Sequence, residues 1–505
     1  MGLMLLEAPT RFTTPVMIAT TGFGVVRWTG ILALKMNNVF FLGGVPAKWP
    51  GMPAIRRISM LLLCGLCCTT SPLGASDAPP AQINHPLSLA EVLDLAILNN
   101  PDIQKSRKDL EATEGVVLQT RAIAWPKLQV TGNYAAKEPS AVDKPGILIP
   151  GFTFGTDQSW QSQVRVVQSI YEGGRVLSGV RAARLMRERS ALTHQTVLAK
   201  AVLDVELAYD SVLLADQQIR VQEAAVMLLE RELLNTRQRL EAGTVPRFNV
   251  LRAEVELANA RPRLIKARNS LRTSKNNLAN LIGIKVPHTS GDDIPLSLSG
   301  TLSTEPLSLD LPSALDQALA RRPELGALQK AGALLKENLK SARAGSRPSL
   351  QAFGGYGAQS SIFSPDLDRE AHGWMAGVQL TWDVFDGWRT KGRVAEAAAN
   401  AGRNDVEQET TARQIELEVR IAYSNFGEAR EVLESQKKVI EAGEEAVRLA
   451  TARNEAGTGT QLDLLGAQTA LTEARTTQIQ AMHDYAAARA RLRRAVGANI
   501  PGTQP

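Results

Sequence analysis

The sequence predicts a mainly α-helical protein with four β-strands of membrane-crossing length, assembled from two copies of one unit. Three observations predict it. The chain repeats itself at a nearly fixed offset. Two stretches of about 67 residues contain no proline and carry a heptad seam. Four segments of roughly ten residues alternate apolar with polar side chains.

The 505 residues are 44% hydrophobic but only 5% aromatic, and the mean hydropathy of -0.11 argues against a bundle of transmembrane helices. Met52 to Ala75 reads as a secretory signal: Arg56 and Arg57 are basic, Met60 to Cys68 is a short apolar run, and Leu73-Gly74-Ala75 offers a small residue for cleavage. Residues 1–51 are expected to be a gene-start artefact or an atypical leader, with translation beginning at Met52. All three cysteines (Cys64, Cys67, Cys68) fall inside the signal, so the exported chain has no disulfide, thiol nucleophile or Cys-ligated metal. The residues before each cysteine fit acylation poorly. Six of the 57 basic residues and one of the 51 acidic residues lie before Ser76. The exported chain is therefore nearly neutral, with 51 against 50, and the basic pI gives no reason to expect nucleic acid.

Repeat 1 spans 76–300 and repeat 2 spans 301–505. Leu87, Leu89, Asp94, Ala96, Pro101, Arg121, Pro126 and Tyr134 recur 222 positions later, whereas Trp160, Gly173, Arg175, Tyr209 and Gly283 recur 214 later. The eight-residue difference falls between Tyr134 and Trp160, in a loop rich in Pro and Gly. Strands are expected at about 127–136, 160–171, 349–358 and 374–385, the last including Trp382 and Val384. Four strands close no barrel alone: they make an ordinary sheet, or several copies share one barrel.

Long helices are expected over 174–240 and 388–454, each on the order of 100 Å. Their seam runs Ala201, Val205, Ala208, Val212, Ala215, Ile219, Val226, Leu233 in one and Ile415, Val419, Ala422, Phe426, Ala429, Leu433, Ile440, Val447 in the other. Two shorter helices per repeat have the combined length to pair with each long one: Leu89 to Ala124 with 249–282, and Leu311 to Ser346 with 463–496. The turns at 241–248 and 455–462 form tips. There Ala242-Gly243-Thr244 matches Ala456-Gly457-Thr458, with glycine closing the outgoing helix and threonine starting the return.

These residues resemble the TolC-like outer-membrane efflux proteins. The resemblance covers Leu87 to Gly497 and rests on Asn100-Pro101 and Arg322-Pro323, the Pro-x-Leu strand entries, the mid-helix Ala-Tyr pairs and the tips. It rests also on two turns, Ile170-Tyr171-Glu172-Gly173-Gly174-Arg175 and Val384-Phe385-Asp386-Gly387-Trp388-Arg389. The resemblance implies a homotrimer whose chains each give four strands to a twelve-stranded outer-membrane β-barrel, continued by a coiled-coil α-barrel in the periplasm. The tips would meet a periplasmic adaptor and, through it, an inner-membrane transporter of an efflux or type I secretion system. Trp160, Trp374, Trp382, Tyr134 and Tyr356 would contact outer-membrane lipid as aromatic girdles. Asp463 matches an acidic ring at the aperture, although capping the return helix is an equal alternative. Asn249 stands at its place in repeat 1, and Arg247 is a candidate to bridge to Asp463 of a neighbouring helix pair. Arg175 and Arg389 are expected to brace the strand-to-helix turns.

Catalysis has no support: the five histidines lack ligand spacing, and neither a Walker loop nor Gly-x-Ser-x-Gly occurs. No cofactor is expected. The alternative from another class is a periplasmic coiled-coil scaffold or adaptor without a pore. Such a protein would contain one hairpin, not two repeats with strands.

Overall fold

The computed structural model describes residues 85–138, 158–284, 294–360 and 371–498. The expected leader, signal and insertion loop lie outside them. Repeat 1 begins with α1 (Leu89–Asn99) and α2 (Pro101–Ala122), followed by β1 (Lys127–Ala136) and β2 (Gln158–Glu172). The long α3 (Arg175–Glu241) and the return helix α4 (Arg247–Ile282) complete it. Repeat 2 repeats the order as α5 (Leu311–Arg321), α6 (Pro323–Arg343), β3 (Ser349–Ser360), β4 (Ala371–Thr381), α7 (Arg389–Glu455) and α8 (Gln461–Ala495).

The first helix of each repeat is broken where the sequence suggested one continuous segment. Proline lacks an N–H and forces the preceding residue out of helical geometry, so α1 stops before Pro101 and α5 before Pro323. Asn100 caps α2 by accepting from the Asp102 and Ile103 amides, and its own amide donates to the Leu281 carbonyl at 2.7 Å. Arg322 occupies the matching place and reaches the Ala495 carbonyl at 3.3 Å. Each break is thus tied to the end of its return helix, whose last turn closes with Gly283 or Gly497 at positive φ. A Cβ on Gly283 would lie 2.4 Å from the Asn99 carbonyl oxygen.

The four strands form one antiparallel sheet in the order β1-β2-β3-β4, leaving β1 and β4 as open edges. Register pairs Tyr134 with Trp160, Val164 with Tyr356, and Tyr356 with Trp374. β4 ends at Thr381 and excludes Trp382 and Val384, contrary to expectation. Its last partner is Ser349, before which Pro348 supplies no ladder donor, and the Trp382 indole N–H donates instead to the Ser346 carbonyl at 3.1 Å.

The long helices are not equivalent. α3 packs against α1, α2 and α4 of its own repeat and also against α6 and α8 of the other, so its seam is buried from Ala201 to Ala215. α7 packs against α5, α6 and α8, burying Ile415, Val419 and Phe426 while exposing Val406, Leu417, Ile421, Val432 and Val439. Where α3 meets α8, Arg493 donates to Glu206 at 2.9 Å with Asp210 buried one turn along.

Candidate functional site: a two-faced sheet and a helical tip

Alternation gives the sheet two chemically distinct faces. One carries Leu128, Val130, Tyr134, Trp160, Val164, Val166, Tyr356, Trp374, Val378 and Leu380. Most are exposed. The opposite face carries Gln129, Thr131, Asn133, Gln161, Gln163, Arg165, Gln351 and Gln379. The Arg165 guanidinium lies 4.7 Å above the Phe353 ring, which occupies the space left by Gly377. Of the five expected girdle aromatics, Tyr134, Trp160, Tyr356 and Trp374 lie toward the loop ends of the strands. Trp382 lies at the helix end of the strands, as do the exposed Trp125, Phe385 and Trp388 that the sequence reading did not single out.

The strand-to-helix turns need positive φ at two successive residues: Gly173 and Gly174 in one, Gly387 and Trp388 in the other. Gly173 is also sterically required, because a Cβ there would sit 2.8 Å from the Ala344 carbonyl oxygen. Trp388 tolerates φ 68 with its ring edge-on to Phe385 and the Lys391 ammonium 4.9 Å from its centroid. Arg175 donates to Glu172 at 2.9 Å, and Arg389 to Asp383 at 3.3 Å.

At the tips, Gly243 and Gly457 take positive φ, and the following threonine amides reach back to the Arg239 and Arg453 carbonyls. The Thr244 and Thr458 hydroxyls donate to the same carbonyls. These threonines therefore finish the outgoing helices and do not start the return, correcting the expectation. Return helices begin two residues earlier than expected. α4 starts at Arg247 after Pro246, placing Asn249 inside its first turn and not at the cap.

α8 starts at Gln461 after Thr460, and Asp463 is the third residue of a capping box: its amide donates to Thr460 Oγ1 at 3.2 Å, and its carboxylate accepts from the Thr460 amide and hydroxyl. Those bonds hold the exposed carboxyl below the usual aspartate range. Asp463 is thus neither the N-cap nor ion-paired with Arg247 within the chain; among the described residues Arg247 makes no ion pair. A contact invisible to sequence reasoning links the repeats here: Gln461 donates to the buried Thr236 hydroxyl at 2.8 Å.

No helix among the described residues is long and apolar enough to cross a membrane, and no cluster of His, Cys, Asp and Glu there could hold a metal. An antiparallel sheet apolar on one face and polar on the other is joined end-on to long helical hairpins. A profile of the outer membrane efflux protein family matches residues 92–284 and 314–498, and the chain belongs to that family.

Its relatives include the outer membrane protein TolC of Escherichia coli K12, 22% identical, with 84% of this chain and 85% of TolC aligned. The alkaline protease secretion protein AprF of Pseudomonas aeruginosa is 26% identical over 81% and 84%. The cobalt-zinc-cadmium resistance protein CzcC of Cupriavidus metallidurans is 26% identical over 80% and 89%. Among solved structures, the Campylobacter jejuni CmeC outer membrane channel shares the fold with a TM-score of 0.71 at 17% identity, covering 83% of this chain and 87% of CmeC. The outer-membrane channel OprN gives 0.67 at 20%, covering 81% and 90%. The chain is an outer-membrane channel-tunnel protein of the efflux type and not an enzyme.

Proposed function

We propose that three copies of this chain form one conduit through the outer membrane, with their twelve strands closed into a single barrel. The observation that carries this reading is the sheet's pair of open edges. β1 and β4 run antiparallel, so β4 of one copy can pair with β1 of the next. Lipid tolerates no unpaired strand edge, and closure satisfies all six. The apolar face then meets lipid and the polar face lines water. The exposed Leu417, Ile421, Val432 and Val439 stripe on α7 supplies an apolar surface for the neighbouring copy's helices.

Below the barrel the hairpins form a periplasmic tunnel. The Ala242-Gly243-Thr244 and Ala456-Gly457-Thr458 tips dock a periplasmic adaptor, which couples the conduit to an inner-membrane transporter. Transport is passive in this chain; the cargo is chosen by the transporter, and relatives named for protease secretion and for metal resistance accord with a generic tunnel. Near the tips, three Asp463 carboxylates ring the aperture and favour cations. Heat-modifiable trimers in outer-membrane fractions are the expected result of fractionation and unheated electrophoresis. A soluble periplasmic monomer would return the chain to the scaffold class.

A further inference from the structure

Between the two strand-to-helix turns and the end of α6 lies a cavity of about 440 Å³. Four arginines from three segments line it: Arg175, Arg347, Arg389 and Arg393. Only two carboxylates accompany them, and each is already engaged, Glu172 with Arg175 and Asp383 with Arg389. Asp386 is turned into the first turn of α7, accepting from the Thr390 amide at 2.8 Å and its hydroxyl at 2.5 Å.

Two guanidinium groups remain without a carboxylate among the described residues. Arg347 donates only to the Gly173 carbonyl at 3.1 Å, and Arg393 has no hydrogen-bond or ion-pair partner there. The side chains of Asn338 and Ser341, which also line the cavity, make no hydrogen bond there either and add neutral donors. The internal repeat supplies a comparison within the chain. At the matching positions of repeat 1, Trp125 replaces Arg347, Gly179 replaces Arg393 and Val116 replaces Asn338. The charge therefore belongs to this junction and not to the unit that was duplicated.

Register gives the cavity its orientation. Its wall includes Ser349 and Thr381, paired with each other on the face that carries Gln351 and Gln379, while Leu350 and Leu380 point to the opposite, apolar face. We infer that this cavity is an anion-binding site of the conduit, taking the phosphate or carboxylate group of a solute through Arg347 and Arg393. Planar guanidinium forks match such oxyanions, and the surplus of two positive charges per chain favours them. The inference rests on the reading that the polar face lines a water-filled lumen. Three such sites would then stand at the junction of tunnel and barrel.

The test titrates inorganic phosphate into the detergent-purified full-length trimer at low ionic strength by calorimetry. It compares wild type with the double variant Arg347→Gln/Arg393→Gln and with Arg403→Gln, an exposed arginine farther along α7. The site requires saturable phosphate binding that weakens about tenfold or more in the double variant and not in Arg403→Gln. Trimer content should stay intact in both variants, and Arg403→Gln should conduct like wild type, which separates failure of this site from failure of the conduit reading. Absence of binding in wild type, or equal binding in all three proteins, overturns it. So does binding confined to a short-chain phosphatidylglycerol, which would mark a lipid headgroup contact instead.

Discussion

At the residue scale, two glycines with the same backbone geometry carry different burdens. Gly243 and Gly283 both follow a helix at positive φ, but a Cβ at Gly243 meets nothing, whereas one at Gly283 strikes the Asn99 carbonyl. Gly243→Ala should cost only the left-handed backbone penalty, about 1 kcal/mol, and leave the trimer's dissociation temperature nearly unchanged. Gly283→Ala should lower that temperature by roughly 5 °C or more, because it also separates the return helix from the α1–α2 break.

Asp463 gives a pH-dependent case at the same scale. Its carboxyl is depressed from 3.8 by its bonds to Thr460, so its stabilisation of α8 is present above that value and lost as pH falls through the lower folded value. Amide exchange at residues 461–466 should accelerate in Asp463→Asn at pH 6 and match wild type in strong acid. As for the aperture, Asp463→Asn should reduce cation selectivity; unchanged conductance and selectivity would confine the residue to its capping box.

At the element scale, the sequence displayed the periods and hid the neighbours. The heptads located both long helices to within one residue, since Gly-rich turns bound them and no proline intervenes. Pro101 and Pro323 end helices, yet Pro262 sits inside α4 without ending it, so proline alone did not decide where a segment breaks. Contacts between repeats were illegible, because the seam of α3 reads the same whether one helix or five surround it. The Gln461–Thr236 link and the cavity between the strand-to-helix turns are of this kind: they bring together residues that lie far apart in the chain.

Asp210 shows what such packing does. Burial and the adjacent Glu206 charge push its carboxyl up to about 7, against the opposing pull of Arg489 and Arg493. A raised carboxyl favours the protonated fold. Its contribution is therefore full below the ordinary value of 3.8 and lost as pH rises toward 7. Asp210→Asn should raise the thermal midpoint at pH 8 and flatten its decline between pH 4 and 7; an unaltered profile would show that Asp210 remains solvated at the α3–α8 contact.

At the scale of the whole molecule, a single chain leaves three surfaces unfinished: the β1 edge, the β4 edge and the apolar stripe of α7. Each is costly in isolation, and the proposed trimer gives each a complement on an identical neighbour. Ile421→Glu, which places a charge on the stripe, should shift the protein from trimer to monomer on unheated gels while leaving helical content intact. The low aromatic content follows from the same architecture, because slender Ala-rich hairpins enclose little thick core.

The most direct test is the conductance of the purified mature protein in a planar lipid bilayer. Discrete, uniform current steps, one for each inserted trimer, are the predicted result. A membrane that remains silent with trimeric protein inserted would contradict the account.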